Sequence, residues 1–318
     1  MLRGFFILLS KVPWAQRVIT HWGVARRAAR RFVAGDTIAD ALQAALALNQ
    51  AGMQVSLDPL GENTTHAEGA EAAAQEILTL LDSLHAHDLR ANVSIKLSQL
   101  GLALDVELCR RLLGKILARA GERGVFIRID MEDASLTERT LEMFDWARQQ
   151  SEGVGVVIQA YLYRSEADLM RLREVQGKVR LCKGAYREAA DVAFPQKPAV
   201  NRNYDHLVKV LFESARAAGT PLLSADGRTP PLAAVATHDP ARIAFAEAEM
   251  LRQGLPKGSV EFQMLYGIRR DLQETLVRQG HAVRVYVPYG THWYPYFMRR
   301  LAERPENVRF FLSNLFRK

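Results

Sequence analysis

Eight short apolar or β-branched runs punctuate this chain: MQVSLD, NVSIKL, VFIRID, GVVIQAYL, VRLCKG, LAAVATH, VEFQML and VRVYVP. Between most of them lies a segment of helical period, for example AEGAEAAAQEILTLLDSLHAHD, DVELCRRLLGKILARAGERG and DPARIAFAEAEMLRQG. The runs are near-continuously apolar rather than cleanly alternating, as strands buried on both faces must be. Strands alternating with helices predict an α/β protein, and eight of them predict a closed (βα)8 barrel. A doubly wound open sheet is the alternative. Its G-x-G-x-x-G fingerprint is missing, and the lone G-x-G in GVGVV at Gly153–Val157 lies inside a run.

Composition fits this expectation. The chain has 318 residues, long enough for one large single-core barrel, with 48% hydrophobic and 24% charged residues. A net charge of +7 favours anionic partners without choosing among them. Cys109 and Cys182 form no C-x-x-C, which speaks against a zinc site or a disulfide framework and suits a reducing compartment. The apolar stretch Phe5–Leu9 is too short for a signal-peptide core, and no stretch approaches the roughly 18 apolar residues of a membrane span.

The chain divides into an N-terminal helical segment, residues 1–50, and a barrel, residues 51–318. Residues 13–50 read as two helices, the second capped by Asp36-Thr37 with Asp40 three residues after Thr37. The first carries Arg26, Arg27, Arg30 and Arg31 beside Trp14, Trp22 and Phe32. A solvated helix face is the plain reading of such a run; a membrane-surface contact is the other.

Barrel chemistry sits at the C-terminal ends of the strands. Those ends carry Asp58 through Glu62, Lys96, Asp130, Gln159 with Tyr161, Lys183 with Tyr186, His238, Leu265 with Tyr266, and Tyr286. Lys96 and Asp130 are equally a structural ion pair or catalytic groups on pattern alone. His238 precedes a helix opened by Asp239-Pro240, where it either faces a phosphate or satisfies backbone groups. Arg299 and Arg300 follow the last run, and neighbouring helical residues project about 100° apart. They converge on a ligand only if it lies near the helix start, above the barrel mouth. Among these motifs there is no H-E-x-x-H, G-K-[ST] or G-x-S-x-G, and no metal site is expected.

Longer stretches go further. VSIKLSQLG, FIRIDMED, VRLCKGAYRE, VATHD, EFQMLYGIRRDL and VYVPYGTHWYPYFMRRLAERPENV together resemble the proline dehydrogenase family, in its short monofunctional bacterial form. The resemblance implies a distorted (βα)8 barrel that binds FAD and oxidises L-proline to Δ1-pyrroline-5-carboxylate, the first step of proline catabolism to glutamate. It implies that Arg299, Arg300 and Lys96 hold the proline carboxylate. Asp130 and Tyr286 would shape the site, with Leu265 and Tyr186 as its apolar wall. Glu62 would pair with Arg299 as a gate, and Gln159, Arg180, Lys183, His238 and Glu303 would contact FAD. The implied partners are a membrane quinone as electron acceptor and a separate pyrroline-5-carboxylate dehydrogenase, with no nucleic acid. The implied location is cytoplasmic, with peripheral contact on the inner face of the cell membrane through the N-terminal helix and the tail FLSNLFRK. Two departures stand out: Asp239 where many relatives have Asn, and Arg187 where the longer bifunctional relatives often carry Trp. Another flavin barrel, such as methylenetetrahydrofolate reductase, and a basic barrel that binds lipid or nucleic acid are the competing functions.

Overall fold

The structure, a computed structural model, describes residues 27, 29–61 and 64–303. Most of the first expected helix, with Trp14 and Trp22, and the tail FLSNLFRK lie outside the described residues. The second expected helix is α1 (Ile38–Gln50). Thr37 caps it by accepting from the Asp40 backbone N–H at 3.2 Å, and the Asp40 carboxylate accepts from the Thr37 N–H at 3.0 Å. The reciprocal bonds satisfy two of the orphan donors of a helix start.

The chain then alternates: β1 (Gln54–Pro59), α2 (Ala67–Ala86), β2 (Ala91–Ile95), α3 (Val106–Arg123), β3 (Ile127–Ile129), α4 (Thr137–Gln150), β4 (Val154–Gln159), α5 (Ser165–Glu174), β5 (Lys178–Cys182), α6 (Lys197–Ala217), β6 (Ala233–Ala236), α7 (Pro240–Gln253), β7 (Val260–Leu265), α8 (Arg270–Arg278), β8 (Ala282–Tyr289) and α9 (Trp293–Glu303). The eight strands are hydrogen-bonded in sequence order and close β8 onto β1, so the barrel is complete. All eight apolar runs contain a strand. One helix had no counterpart in the periodicity, α8, whose nine residues RDLQETLVR are largely polar and follow Arg269 in a left-handed conformation.

Side chains alternate along each strand, and the two faces differ in chemistry. The outward set, including Val55, Leu57, Val93, Ile95, Ile127, Ile129, Val179, Leu181, Phe262 and Val285, packs under the helices as one contiguous apolar core. The inward set is buried but polar: Ser56, Asp58, Ser94, Arg128, Arg180, Glu261, Gln263 and Arg284. Their contacts cross the lumen, since Arg180 of β5 donates to Ser56 of β1 at 3.3 Å and to Ser94 of β2 at 3.1 Å. The near-continuous apolar reading of the runs therefore described one face only. A closed lumen tolerates charge when every charge has a partner.

A second, smaller cluster lies over the barrel mouth. Ala29, Phe32 and Val33 pack with Leu60, Ile268 and the α9 residues Trp293, Tyr294, Phe297 and Met298. Backbone bonds hold this segment down: Ala34 donates to the Pro288 carbonyl at 2.9 Å, and Gly290 to the Gly35 carbonyl at 2.9 Å. Gly267 has φ +72°, and a Cβ there would lie 1.7 Å from the Arg31 carbonyl oxygen, so only glycine admits this approach.

At the closed end of the lumen, the Arg284–Glu261 pair is fully buried at 3.0 Å, and Arg284 also donates to the Val55 and Gly227 carbonyls. Removing one partner leaves the other charged and unmatched. Arg284→Met should lower unfolding stability by about 3–5 kcal/mol in urea titrations, and adding Glu261→Gln to the same chain should recover part of that loss. A loss below ~1 kcal/mol, the range of exposed pairs, would show that the pair is dispensable.

Candidate functional site at the barrel mouth

One cavity of about 630 Å³ opens at the C-terminal ends of the strands. Among the residues expected from sequence, Lys96, Asp130, Gln159, Arg180, Lys183, Tyr186, His238, Leu265, Tyr286, Arg299 and Arg300 all line it. Glu62 and the side chain of Glu303 lie outside the described residues. Arg187 is exposed and not part of the lining.

The floor is a charge network. Lys96 donates to Asp58 at 2.8 Å and to the Tyr286 hydroxyl at 3.3 Å, and its ammonium stands 3.7 Å from Asp130. Asp130 in turn accepts from Arg180 at 2.7 Å and from the Tyr286 hydroxyl at 2.7 Å. The nearest acid to Lys96 is thus Asp58, while Asp130 is shared among Arg180, Tyr286 and, more distantly, Lys96. Burial raises the Asp58 carboxyl above its ordinary range, Lys96 pulls it down, and the Asp130 charge pushes it up again, with the net shift upward. Burial and the Asp130 charge push the Tyr286 phenol well up, so it serves as a neutral donor. The Arg180 guanidinium also lies 5.2 Å from the centroid of the Tyr286 ring, a cation–π distance.

Helix α9 forms one wall. At about 100° per residue, Trp293, Tyr294, Phe297 and Met298 share the face buried against the 29–33 segment, with the Phe297 ring 6.2 Å from that of Phe32. The remaining arc carries Tyr296, Arg299 and Arg300 to the cavity. Arg300, only 8% exposed, sits 5.1 Å over the Tyr296 ring. Both arginines line the same cavity.

The opposite wall is built from β5, α6 and α7. Lys183 donates to Asn201 at 2.6 Å and to Asp239 at 2.8 Å. Burial raises the Asp239 carboxyl, but the Lys183 bond and charge outweigh it and leave the group below its usual range. The other Asp239 oxygen caps α7 by accepting from the Ala241 N–H at 3.1 Å. This helix start is therefore served by the protein's own carboxylate. His238 accepts from the Leu265 backbone N–H through Nε2 at 2.8 Å, which leaves its ring proton on Nδ1. Gln159 donates to the Glu132 carbonyl at 2.7 Å. Sequence reasoning had not singled out Gln263, Lys197, Arg269, Thr237 or Tyr296, which also line the cavity. Gln263 stands two residues before Leu265, and its inward position was readable from that period of two.

The proline dehydrogenase profile matches residues 41–312. The chain belongs to the proline dehydrogenase family. Proline dehydrogenase 1 of Bacillus subtilis (strain 168) is 40% identical over 318 residues, covering 100% of both chains. Proline dehydrogenase of Deinococcus radiodurans is 40% identical over 292 residues, 90% of this chain and 89% of that one. A crystal structure of proline utilization A from Bdellovibrio bacteriovorus, inactivated by N-propargylglycine, superposes with a TM-score of 0.77 at 26% identity. It matches 88% of this chain, which spans 33% of that longer polypeptide. The family's reaction is the oxidation of proline in its catabolism. Among the described residues no cluster of His, Cys, Asp and Glu is placed to hold a metal, and no helix is long and apolar enough to cross a membrane.

Cys182 also lines the cavity, and burial pushes its thiol up to about 12. Only the thiolate is reactive. Iodoacetamide at about pH 8, more than three units below that value, should leave Cys182 unmodified in the folded protein and label it in urea, read by mass spectrometry. Labelling of folded protein at that pH would mean that the thiol is far more acidic than its setting dictates.

Proposed function

We propose that this chain oxidises L-proline to Δ1-pyrroline-5-carboxylate, with FAD as its resident acceptor and a membrane quinone as the final one. The observation that carries the reading is the convergence of Arg299 and Arg300, from one arc of α9, on the same cavity as Lys96, Asp130 and Tyr286. Bound FAD supplies the two-electron chemistry. The cavity fits such a cofactor on three counts. Its volume falls within the roughly 300–1,000 Å³ of small-molecule sites. Its lining mixes apolar groups (Met131, Val157, Ala236, Met264) with the cations Arg180, Lys183, Lys197 and Arg269, which suit a pyrophosphate. Arg180 is fixed in the floor by Asp130 and Ser94, ready to meet a polar ring edge. Gln159, Arg180, Lys183 and His238 would hold the cofactor.

The protein's own task is binding and orientation. Arg299, Arg300 and Lys96 take the substrate carboxylate, and charge-assisted bonds in a mostly buried site are strong and directional. Tyr286, held by Asp130, and Leu265 with Tyr186 present a wall for the five-membered ring. Fixing the carboxylate and one ring face leaves the ring a single pose, which is the larger part of what a redox enzyme adds to its cofactor. Oxidation removes a hydride equivalent from the ring carbon beside nitrogen and a proton from nitrogen, so no nucleophile is needed. Product leaves for a separate pyrroline-5-carboxylate dehydrogenase.

The decisive measurement is the flavin spectrum without air. Purified protein incubated with FAD should be yellow and bleach on adding L-proline but not NADH. Bleaching by NADH alone would favour a reductase barrel, and failure to take up flavin would remove the reading altogether.

A second expected result concerns the clamp. Arg300→Met should raise the KM for proline by about tenfold or more, because charge-assisted contacts are worth about 1.5–3 kcal/mol each, while flavin stays bound. An unchanged KM would leave Arg300 as a packing partner of Tyr296 and not a substrate contact.

A further inference from the structure

Gln263 on β7 lines the cavity, yet the proposed function assigns it nothing. It stands between two buried charges. Its side-chain oxygen accepts from Arg180 Nε, and its nitrogen donates to the Glu261 carboxylate. A guanidinium can only donate and a carboxylate can only accept, so the amide has one possible orientation. Glu261 is itself fixed, because both of its oxygens accept from Arg284 Nε at 3.0 Å and neither partner is exposed. Arg284 is anchored to the barrel backbone through the carbonyls of Val55, at 2.8 Å, and Gly227, at 2.9 Å. A rigid line therefore runs from the closed end of the lumen to the cavity floor.

At the upper end of that line, Arg180 is gripped by each of its nitrogens. Nη1 donates to Asp130 at 2.7 Å, Nη2 donates to Ser94 at 3.1 Å and Ser56 at 3.3 Å, and Nε donates to Gln263. The contacts at the two Nη groups set where the guanidinium lies. The contact at Nε is the third point that defines its plane, alongside the Tyr286 ring centroid 5.2 Å away. Leucine or methionine at position 263 would leave Arg180 Nε without its acceptor and take one of two donors from a Glu261 oxygen, and glutamate would set two carboxylates side by side. Only a side chain with an acceptor and a donor at its tip serves both neighbours.

We propose that Gln263 is a positioning residue, which fixes the plane of the Arg180 guanidinium at the cavity floor and is itself oriented by Glu261. The inference rests on the reading above, in which Arg180 is one of the groups that hold the flavin. The test is a double-mutant cycle of Gln263→Met and Arg180→Lys on the FAD-loaded enzyme. Three quantities are read: the FAD dissociation constant, the flavin midpoint potential and the urea midpoint of unfolding. Each single variant should weaken FAD binding by about tenfold, the scale of one lost bond to a charged group, and shift the potential in the same direction. The double variant should match Arg180→Lys alone, because a residue that acts through another has no effect once its client is gone. Additive shifts, or a Gln263→Met protein that loses only urea stability, would overturn the positioning role. Should Gln263→Met fail to fold, the exchange Gln263→Glu with Glu261→Gln retains an acceptor for Arg180 and a donor–acceptor contact between the two tips, with no pair of carboxylates. FAD affinity within about threefold of the parent, well short of the loss of a charged bond, supports the role, and a tenfold loss overturns it. If Arg180→Lys itself changes neither affinity nor potential, the flavin reading of the cavity falls and the inference falls with it.

Discussion

Charge buried inside the barrel is the constraint on which the rest of this structure depends. A (βα)8 lumen is ordinarily packed with branched apolar residues, but here Arg128, Arg180, Arg284, Glu261, Asp58 and Asp130 fill much of it. Desolvating such groups costs several kcal/mol apiece unless each meets a partner with good geometry. The partners are supplied in a line: Arg284 with Glu261, Glu261 with Gln263, Gln263 with Arg180, Arg180 with Asp130, and Asp130 with Tyr286. Because each group takes its position from the one below, the reactive end of the barrel is set by contacts far from the ligand space. Polar networks of this kind are rigid when complete and costly when one member is lost.

The mouth is organised by a second principle, the division of one helix into two faces. Trp293, Tyr294, Phe297 and Met298 bury their apolar mass against residues 29–33, Leu60 and Ile268, and that burial fixes the roll of α9 about its axis. Burial of a large apolar side chain is worth about 1.5–3 kcal/mol, so four of them outweigh the cost of holding two arginines at the lip of a cavity. A shift of one residue in that packing would turn Arg299 and Arg300 by about 100°, away from the cavity. The aromatic run before the arginines is thus what aims them.

This division of labour explains what could be read in the sequence. The strands and most helices were legible because the outward faces are uniformly apolar and the helical segments keep their period, and the Thr37–Asp40 capping box was visible as a spacing. Lys96, Asp130, Lys183, His238 and Tyr286 were legible as polar residues where an apolar run stops. What stayed hidden was register. Nothing in NVSIKL tells which acid Lys96 will meet, because the pairing with Asp58 depends on how β1 and β2 align, Ser56 opposite Asn92. The inward polar set was masked for a similar reason: Ser56, Ser94 and Gln263 sit inside runs whose other face is apolar, and a short run read alone does not say which face closes on the lumen. Helix α6 begins at Lys197, seven residues before the periodic stretch at Tyr204, since its first turns are polar.

Counting charges around the floor shows why such a site suits an anion. Lys96, Arg128, Arg180 and Arg284 stand against Asp58, Asp130 and Glu261 in the lumen, four cations to three anions, and Arg299 and Arg300 add two more cations at the rim. Burial, with the Arg180 charge next, pulls Arg128 well below its ordinary range. An anion bound at the rim would offset that excess, whereas at Lys183 the Asp239 carboxylate already pairs with the ammonium at 2.8 Å. The two arginines are thus the outermost members of a charge balance that runs through the whole barrel.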